Sequence, residues 1–279
     1  MDRRPAVAGI FYPSDPEELS SMLEHLFLEH EHGPKRKPEA SDNTLAVVSP
    51  HAGYIYSGPC AAHSFVHVPK VDTVVLIGPN HTGLGHPISV RPDGKRHTPL
   101  GALEVDEEFV DLLTSDMYAQ KDYAAHINEH CLEVQLPFLI YAYNELGRSL
   151  PKIVPIVLGY QQADVAITLG MKIKEIAEEL GKRIYVIASS DLDHYEPQPI
   201  VVSKDMVVLK CVESLDIECL YKSVFELDIS VCGYGAIATA IDYTKRNGGK
   251  AKVLKHMTSG DVTGDYDAVV GYGSVRFYR

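Results

Sequence analysis

The sequence has few basic residues and no long apolar run, and both absences exclude classes of protein. It contains 26 Lys and Arg against 38 Asp and Glu, so the formal net charge is −12 with histidine neutral. Nucleic-acid-binding proteins usually carry a basic surface that neutralises phosphates, and here Lys and Arg cluster only in short pieces such as 34–37. No apolar run approaches the ~20 residues that cross a bilayer. We therefore expect neither nucleic-acid binding nor membrane insertion.

Cysteine is also scarce. The five cysteines are odd in number and form no CxxC pair, which argues against the disulfide framework of a small secreted protein. The apolar stretch near the start is short and is stopped by Pro13, unlike a signal peptide. These features predict a reducing, cytoplasmic location. Cys211 and Cys219 are expected to pack as core residues on one helix face.

The composition, with 45% hydrophobic and 23% charged residues, is that of an ordinary globular domain, and the length predicts one domain, 1–279. Val- and Ile-rich runs without polar alternation predict strands covered on both faces. These runs are 45–48, 73–77, 153–158, 183–188, 252–255 and 268–277. Helix-like stretches lie between them at 15–29, 106–115, 132–146, 163–180, 201–214 and 234–247. This alternation predicts an α/β three-layer sandwich around a mostly parallel or mixed sheet.

Histidines and acids follow several of the predicted strands. His51 and His81 come just after the first two strands, and Asp191 and His194 come just after the strand at 183–188. Because the carboxyl ends of parallel strands face the same way, these side chains are expected at one rim of the sheet. Neutral imidazole is a common ligand of Zn, Cu and Fe. The pattern therefore predicts a metal site.

The anionic ligand of such a site is left open by the sequence. Asp191, Asp193, Glu133 and a cysteine thiolate are all candidates. Cys232 is the best thiol, because it stands at the start of a predicted helix, where the helix dipole favours thiolate. The alternatives are a structural brace for Asp191, a small buried hydrophobe for Cys232, and a histidine that merely bonds a loop carbonyl.

A further stretch places His126, His130 and Glu133 on one face if it is helical throughout. It lacks the HExxH pattern of zinc proteases. If the helix begins only near His130, His126 falls outside it, and Glu133 is then a favourable first-turn acid.

Six ordered motifs across nearly the whole chain resemble the Memo (mediator of cell motility) family. They are RPAVAGIFYP at 4–13, PHAGYIYSG at 50–58, GPNH at 78–81, EHCLEVQLP at 129–137, SSDLDH at 189–194 and VCG at 231–233. Memo proteins are similar in fold to the class III extradiol dioxygenases, non-haem iron enzymes that open catechol rings. The resemblance implies a dioxygenase-like α/β fold.

The same resemblance implies roles for individual residues. The metal-binding positions would be His51, His81 and Cys232. Cavity-lining side chains would be Tyr54, His130 and Glu133. Asp191 and His194 would lie beside the metal as catalytic residues, with His194 as the acid/base group held by Asp191.

One difference from the dioxygenases, at the third metal-binding position, limits what the shared fold implies about activity. Their site has two histidines and a carboxylate, whereas a cysteine stands at the third position here. A thiolate favours copper, zinc or a differently tuned iron, with iron or copper the expected cofactor and zinc possible. We therefore expect a metal-dependent oxidoreductase acting on an unidentified small molecule. The alternatives are a non-catalytic peptide-binding or metal-handling protein, and a zinc hydrolase with Asp191 or His194 as base.

Overall fold

The computed structural model describes residues 1–279 and contains a nine-stranded mixed sheet flanked by helices. The strands are β1 (Glu39–Ala40), β2 (Thr44–Ser49), β3 (His67–Val68), β4 (Thr73–Pro79), β5 (Ile88–Val90), β6 (Lys95–Thr98), β7 (Gly101–Glu104), β8 (Gln120–Lys121), β9 (Lys152–Leu158), β10 (Ile184–Ser189), β11 (His194–Glu196), β12 (Lys250–Thr258) and β13 (Val269–Tyr278). The helices are α1 (Pro16–Leu28), α2 (Tyr54–Ser64), α3 (Glu107–Leu113), α4 (Ala124–Ile127), α5 (Gln135–Glu145), α6 (Ala163–Leu180), α7 (Gln198–Glu213), α8 (Ile217–Glu226), α9 (Tyr234–Arg246) and α10 (Gly260–Thr263). None of the helices combines the length and apolar character that crossing a bilayer requires.

All six predicted strands and all six predicted helices are present, and the predicted α/β sandwich with a mixed sheet is confirmed. Helix α2 was not predicted. It contains Gly58 and Pro59 and is buried on almost every face, so it has neither strong helix propensity nor a polar side. Helix α8 also escaped prediction, although Asp216 caps it by accepting a hydrogen bond from the Cys219 N–H.

Four parallel strands form the centre of the large sheet, in the order β2, β10, β4, β9. Nearly every residue in them is buried, which explains their continuous apolar runs. Strand β13 runs antiparallel to β2, β12 runs antiparallel to β13, and β5 runs antiparallel to β9, so the sheet is mixed.

Two groups of helices pack around this sheet. Helices α1, α2 and α5 meet through the aromatic rings of Phe27, Phe65 and Phe138. Helices α6 and α9 meet where Gly170 faces Asp242, and a Cβ at Gly170 would lie 2.4 Å from a carboxylate oxygen of Asp242. The missing side chain at this position therefore permits the close approach of the two helices.

The parallel strands bring three loops to one edge of the sheet. The register pairs Ser189 of β10 with Ser49 of β2, and β4 lies on the other side of β10. His51, His81 and Asp191 each follow the last residue of their strand by two positions. The predicted convergence at the carboxyl ends therefore follows from the sheet order.

The expectation that Cys211 and Cys219 pack on one helix face is wrong, because Cys211 lies on α7, Cys219 lies on α8, and the structure joins them in a disulfide. Helix α7 ends at Glu213, and Leu215 then adopts a positive φ of 56° that reverses the chain into α8. The two Cα atoms lie 5.5 Å apart as a result. The free cysteines are Cys60, Cys131 and Cys232.

Candidate metal centre

A cavity of about 690 Å³ opens at the carboxyl edge of the parallel strands. Six of the residues singled out in the sequence line it: His51, His81, His130, Asp191, His194 and Cys232. The remaining wall is largely aromatic and apolar, with Phe11, Tyr56, Tyr195, Ala268, Val270 and Tyr272. Such a cavity, with a few convergent polar groups in a mostly apolar wall, is typical of a small-molecule site.

Three imidazoles and one thiol stand close together in this cavity. The donor nitrogens of His51, His81 and His130 lie within 4.8 Å of one another. The Sγ of Cys232 lies 3.2 Å from Nε2 of His51. Each ligand of a metal ion lies roughly 2.0–2.3 Å from the ion. Two ligands of one ion are therefore separated from each other by distances similar to those between these donor atoms. The three imidazoles are therefore of the right type and spacing to hold an ion, and the Cys232 thiol lies beside one of them, His51.

Ser189 fixes the orientation and tautomer of His51. The Ser189 hydroxyl donates to the Cys131 carbonyl at 2.7 Å, so it accepts from Nδ1–H of His51 at 2.9 Å. The side-chain amide of Gln135 also donates to the Ser189 oxygen, at 2.9 Å. Burial lowers the pKa of His51, so the ring is neutral. Its Nε2 lone pair consequently faces Cys232 and is free for a ligand.

Glu129 orients His81 as Ser189 orients His51. Its two carboxylate oxygens accept from the backbone N–H of His81 at 2.6 Å and from Nδ1–H at 2.8 Å. Burial would raise the pKa of Glu129, but the bonds from His81 and the Cys131 N–H outweigh it and lower the pKa to about 2. With Nδ1–H bonded to this carboxylate, Nε2 is the nitrogen left for a ligand, the arrangement found behind metal-bound histidines. Sequence reasoning missed Glu129, because its partner lies 48 positions away.

Cys232 is held just before the N-terminus of α9. Gln161 donates to the Cys232 carbonyl at 2.9 Å, and the Asp191 N–H donates to its Sγ at 3.2 Å. Gly233 allows this approach, since a Cβ there would lie 2.5 Å from the Ser189 carbonyl oxygen. Burial raises the pKa of the Cys232 thiol, so a thiolate at this position requires a cation beside it.

Asp191 and His194 line the cavity but contact different groups. Asp191 accepts from the His51 N–H at 2.7 Å, and burial raises its pKa to about 6. His194 donates from Nδ1 to the Ser230 carbonyl at 2.9 Å, and its backbone N–H donates to the Ser230 hydroxyl. The expectation that Asp191 holds His194 is therefore corrected: Ser230 holds His194, and Asp191 braces the His51 loop.

Tyr54 and Glu133 lie outside the cavity lining, contrary to expectation. The Tyr54 hydroxyl donates to the Val134 carbonyl at 2.5 Å, and the ring is buried in the core. Glu133 is the counter-ion of buried Arg3, with 2.6 Å between carboxylate and guanidinium. The helix face proposed for His126, His130 and Glu133 does not form, because α4 ends at residue 127 and α5 begins at residue 135.

Comparison of the chain with known proteins shows which family it matches. The family model described as "Memo-like protein" matches residues 3–276. A "MEMO1 family protein" of Desulfurococcus amylolyticus is 48% identical over 284 residues, covering 99% of both chains. A relative of the same description in Methanocaldococcus jannaschii is 48% identical over 98% of this chain and 97% of its own. Another in Thermotoga maritima is 43% identical over 98% of each chain.

Among solved structures, an uncharacterized protein from Escherichia coli K12 is similar in fold. Its TM-score is 0.54 and its identity 14%, over 84% of this chain and 99% of its own. At this identity the likeness supports the α/β architecture alone.

Proposed function

The chain belongs to the Memo-like protein family, and from this premise we propose that it is a metal-dependent oxidoreductase whose ion is held by His51, His81 and Cys232. One observation carries the proposal. The Nδ1 atoms of both histidines are committed to buried partners, which leaves Nε2 of each ring for a ligand, and Nε2 of His51 lies 3.2 Å from the Cys232 sulfur. Metal-binding histidines almost always donate their other ring N–H to such a partner.

The donor chemistry narrows the choice of ion. Two imidazoles and a thiolate suit iron or copper, and also zinc. His130 is a further donor within reach of the two histidines. A redox-active ion bound there would supply electron-transfer chemistry and a free coordination position for a small ligand.

His194 is the proposed acid/base residue. Because its Nδ1–H bonds the Ser230 carbonyl, Nε2 of the neutral ring is left to accept a proton. The ring lines the cavity, so a substrate hydroxyl or amine bound there can exchange a proton with it. General acid/base help of this kind contributes roughly 10²- to 10⁴-fold. Activity of His194→Ala should fall by that factor with its metal content unchanged, and loss of metal would refute the role.

The rest of the wall would bind and shield the substrate. Phe11 packs against His130 with ring centroids 4.9 Å apart, and Tyr272 and Val270 present further apolar surface. This wall would exclude water and hold the apolar body of a small molecule beside the donors.

Metal analysis is the first test. The protein is purified anaerobically without a metal-binding tag, and metal content is measured by mass spectrometry for wild type, His51→Ala and Cys232→Ser. Exposed His25 provides the matched control, His25→Ala. We expect near-stoichiometric metal in wild type and control, and loss in both site variants. A metal-free wild type, or metal that survives both changes, would refute the proposal. Bound zinc without redox activity would direct assays to hydrolysis.

Exposed side chains at the cavity favour one alternative, a non-catalytic peptide-binding protein. Tyr195 is 76% exposed and Tyr56 39% exposed, and both line the cavity. Exposed aromatic surface beside a cavity is typical of interaction sites. Peptide affinity that survives chelation of the metal, in a protein without redox activity, would favour this function.

A further inference from the structure

A second buried cluster of polar side chains lies away from the cavity, around Arg96 of β6. Arg96 is 1% exposed, and none of its three guanidinium nitrogens has a hydrogen-bond partner. A guanidinium carries five N–H donors, accepts no hydrogen bond and stays protonated in proteins. Buried polar groups are almost always bonded. An acceptor is therefore required beside Arg96.

Neighbouring side chains do not provide that acceptor. Arg3 and Arg91 are cations, and both act with burial to lower the pKa of Arg96. Glu133 is the only carboxylate among the charged groups that act on Arg96. Its oxygens are already occupied by the Arg3 guanidinium, the Ala6 and Val7 N–H groups and the Tyr12 hydroxyl.

The thiol of Cys131 does not serve as the counter-ion either. Burial raises its pKa far above the ordinary value, and the neutral thiol donates to the Pro79 carbonyl at 3.2 Å. The carboxylates nearest Arg91, Asp2 and Asp93, bond other groups at the surface, His97 and Tyr123 among them. The cluster therefore holds three guanidinium charges against one buried carboxylate.

Two further donors complete the cluster. The Nε of Arg91, a residue 2% exposed, has no partner. His126 is fully buried, and although the Ser89 backbone lies close to its ring, neither ring nitrogen forms a hydrogen bond of good geometry. Burial, together with the charges of Arg96 and Arg91, lowers the pKa of His126, so its ring is a neutral donor of one N–H.

We propose that Arg96, Arg91 and His126 bind a buried inorganic monoanion of the size of chloride. A water molecule would offer lone pairs but no charge, whereas the cluster lacks both an acceptor and a negative charge. The near-complete burial of Arg96 and His126 favours a monatomic ion over a larger oxyanion. The site is separate from the metal centre and does not depend on the proposed function.

Thermal unfolding of the full chain in chloride tests the proposal. Protein exchanged into sodium gluconate is titrated with sodium chloride at constant ionic strength. We expect a rise in Tm that grows with the logarithm of the chloride concentration and reaches roughly 5 °C at about 100 times the dissociation constant. Arg96→Met should abolish the chloride dependence, whereas Arg183→Met, at a half-exposed arginine, should retain it. A wild-type Tm that is independent of chloride would overturn the proposal.

Bromide gives a second readout that does not require the variant to fold. Crystals grown from wild-type protein refolded in bromide should show an anomalous peak within hydrogen-bond distance of the Arg96 guanidinium. Density without an anomalous signal at that position would identify water and overturn the proposal. The result is independent of metal content, so it separates this site from the metal centre.

Discussion

Both buried polar clusters take residues from one segment, 126–133, and they are built in opposite ways. In the cavity cluster, the Glu129 carboxylate accepts from Nδ1–H of His81, which leaves Nε2 for a ligand. In the other cluster, the N–H groups of His126 and Arg96 have no acceptor to bond. A cluster with spare lone pairs is suited to a cation, and a cluster with spare N–H groups is suited to an anion. The segment thus contributes to two clusters of opposite ligand preference.

The largest expected effect comes from removing the carboxylate that holds the cationic cluster together. Glu133→Ala leaves Arg3 buried without its counter-ion, so the free energy of unfolding should fall by about 3–5 kcal/mol. Glu39→Ala, which removes partly exposed pairs with Arg36 and His67, should lower it by less than about 1 kcal/mol. Urea unfolding measures both variants. Equal effects would show that the Arg3–Glu133 pair contributes no more than a surface ion pair.

Acid should lower the free energy of unfolding through Glu129, which belongs to the cavity cluster. Its pKa is about 2 in the folded protein and near 4.5 ordinarily, so the folded state favours the ionised carboxylate. Its stabilising contribution is complete above about pH 4.5 and is lost as the pH falls toward 2. The difference in pKa is worth about 3 kcal/mol. Urea unfolding from pH 7 to pH 3 should show wild type and Glu129→Gln converging as the pH falls, and a constant gap would contradict this.

The disulfide provides a reference outside both clusters. Cys211→Ser opens a loop with a sequence separation of 8, and chain entropy predicts a loss of about 2.5 kcal/mol in unfolding free energy. Reduction of the wild type should have the same effect, and metal and chloride binding should persist. A protein whose Tm does not respond to dithiothreitol would contradict the pairing. Cys60→Ser serves as the control that leaves the disulfide intact.

Ser189→Ala is expected to have the smallest of these effects, and it tests whether Ser189 orients His51 for metal binding. The change removes the acceptor that holds Nδ1–H of His51, and loss of such a partner typically weakens metal affinity 10- to 100-fold. Competition with a chelator measures the affinity. Ser57→Ala, which removes a bond to the Ala52 carbonyl, is the control and should leave affinity unchanged. An unchanged affinity in Ser189→Ala would show that Ser189 is dispensable for His51.

Much of the fold could be predicted because its signals are local. Strands buried on both faces appear as uninterrupted apolar runs, and His51 and His81 directly follow such strands. Helix α2 was missed because it is buried on almost every face and so lacks the polar face on which helix prediction relies. The convergence of His51, His81 and Asp191 required only that the strands be parallel.

The partners of the site residues could not be predicted in the same way. Ser189 and Glu129 orient the two histidines from positions 138 and 48 residues away. Ser230, rather than Asp191, holds His194 because the loop before α9 folds back against it. Metal binding by His51, His81 and Cys232 stays a prediction until the ion is measured.

The sequence by itself determined the alternation of strands and helices, the single rim that collects the histidines, and the family to which its motifs point. Only the tertiary structure decided which acid serves which base: Glu129 for His81, Glu133 for Arg3, and none for Arg96. The physical reason is the separation along the chain of the residues that interact. Periodicity and strand ends depend on neighbours along the chain, whereas burial and the pairing of charges depend on segments that meet only after folding.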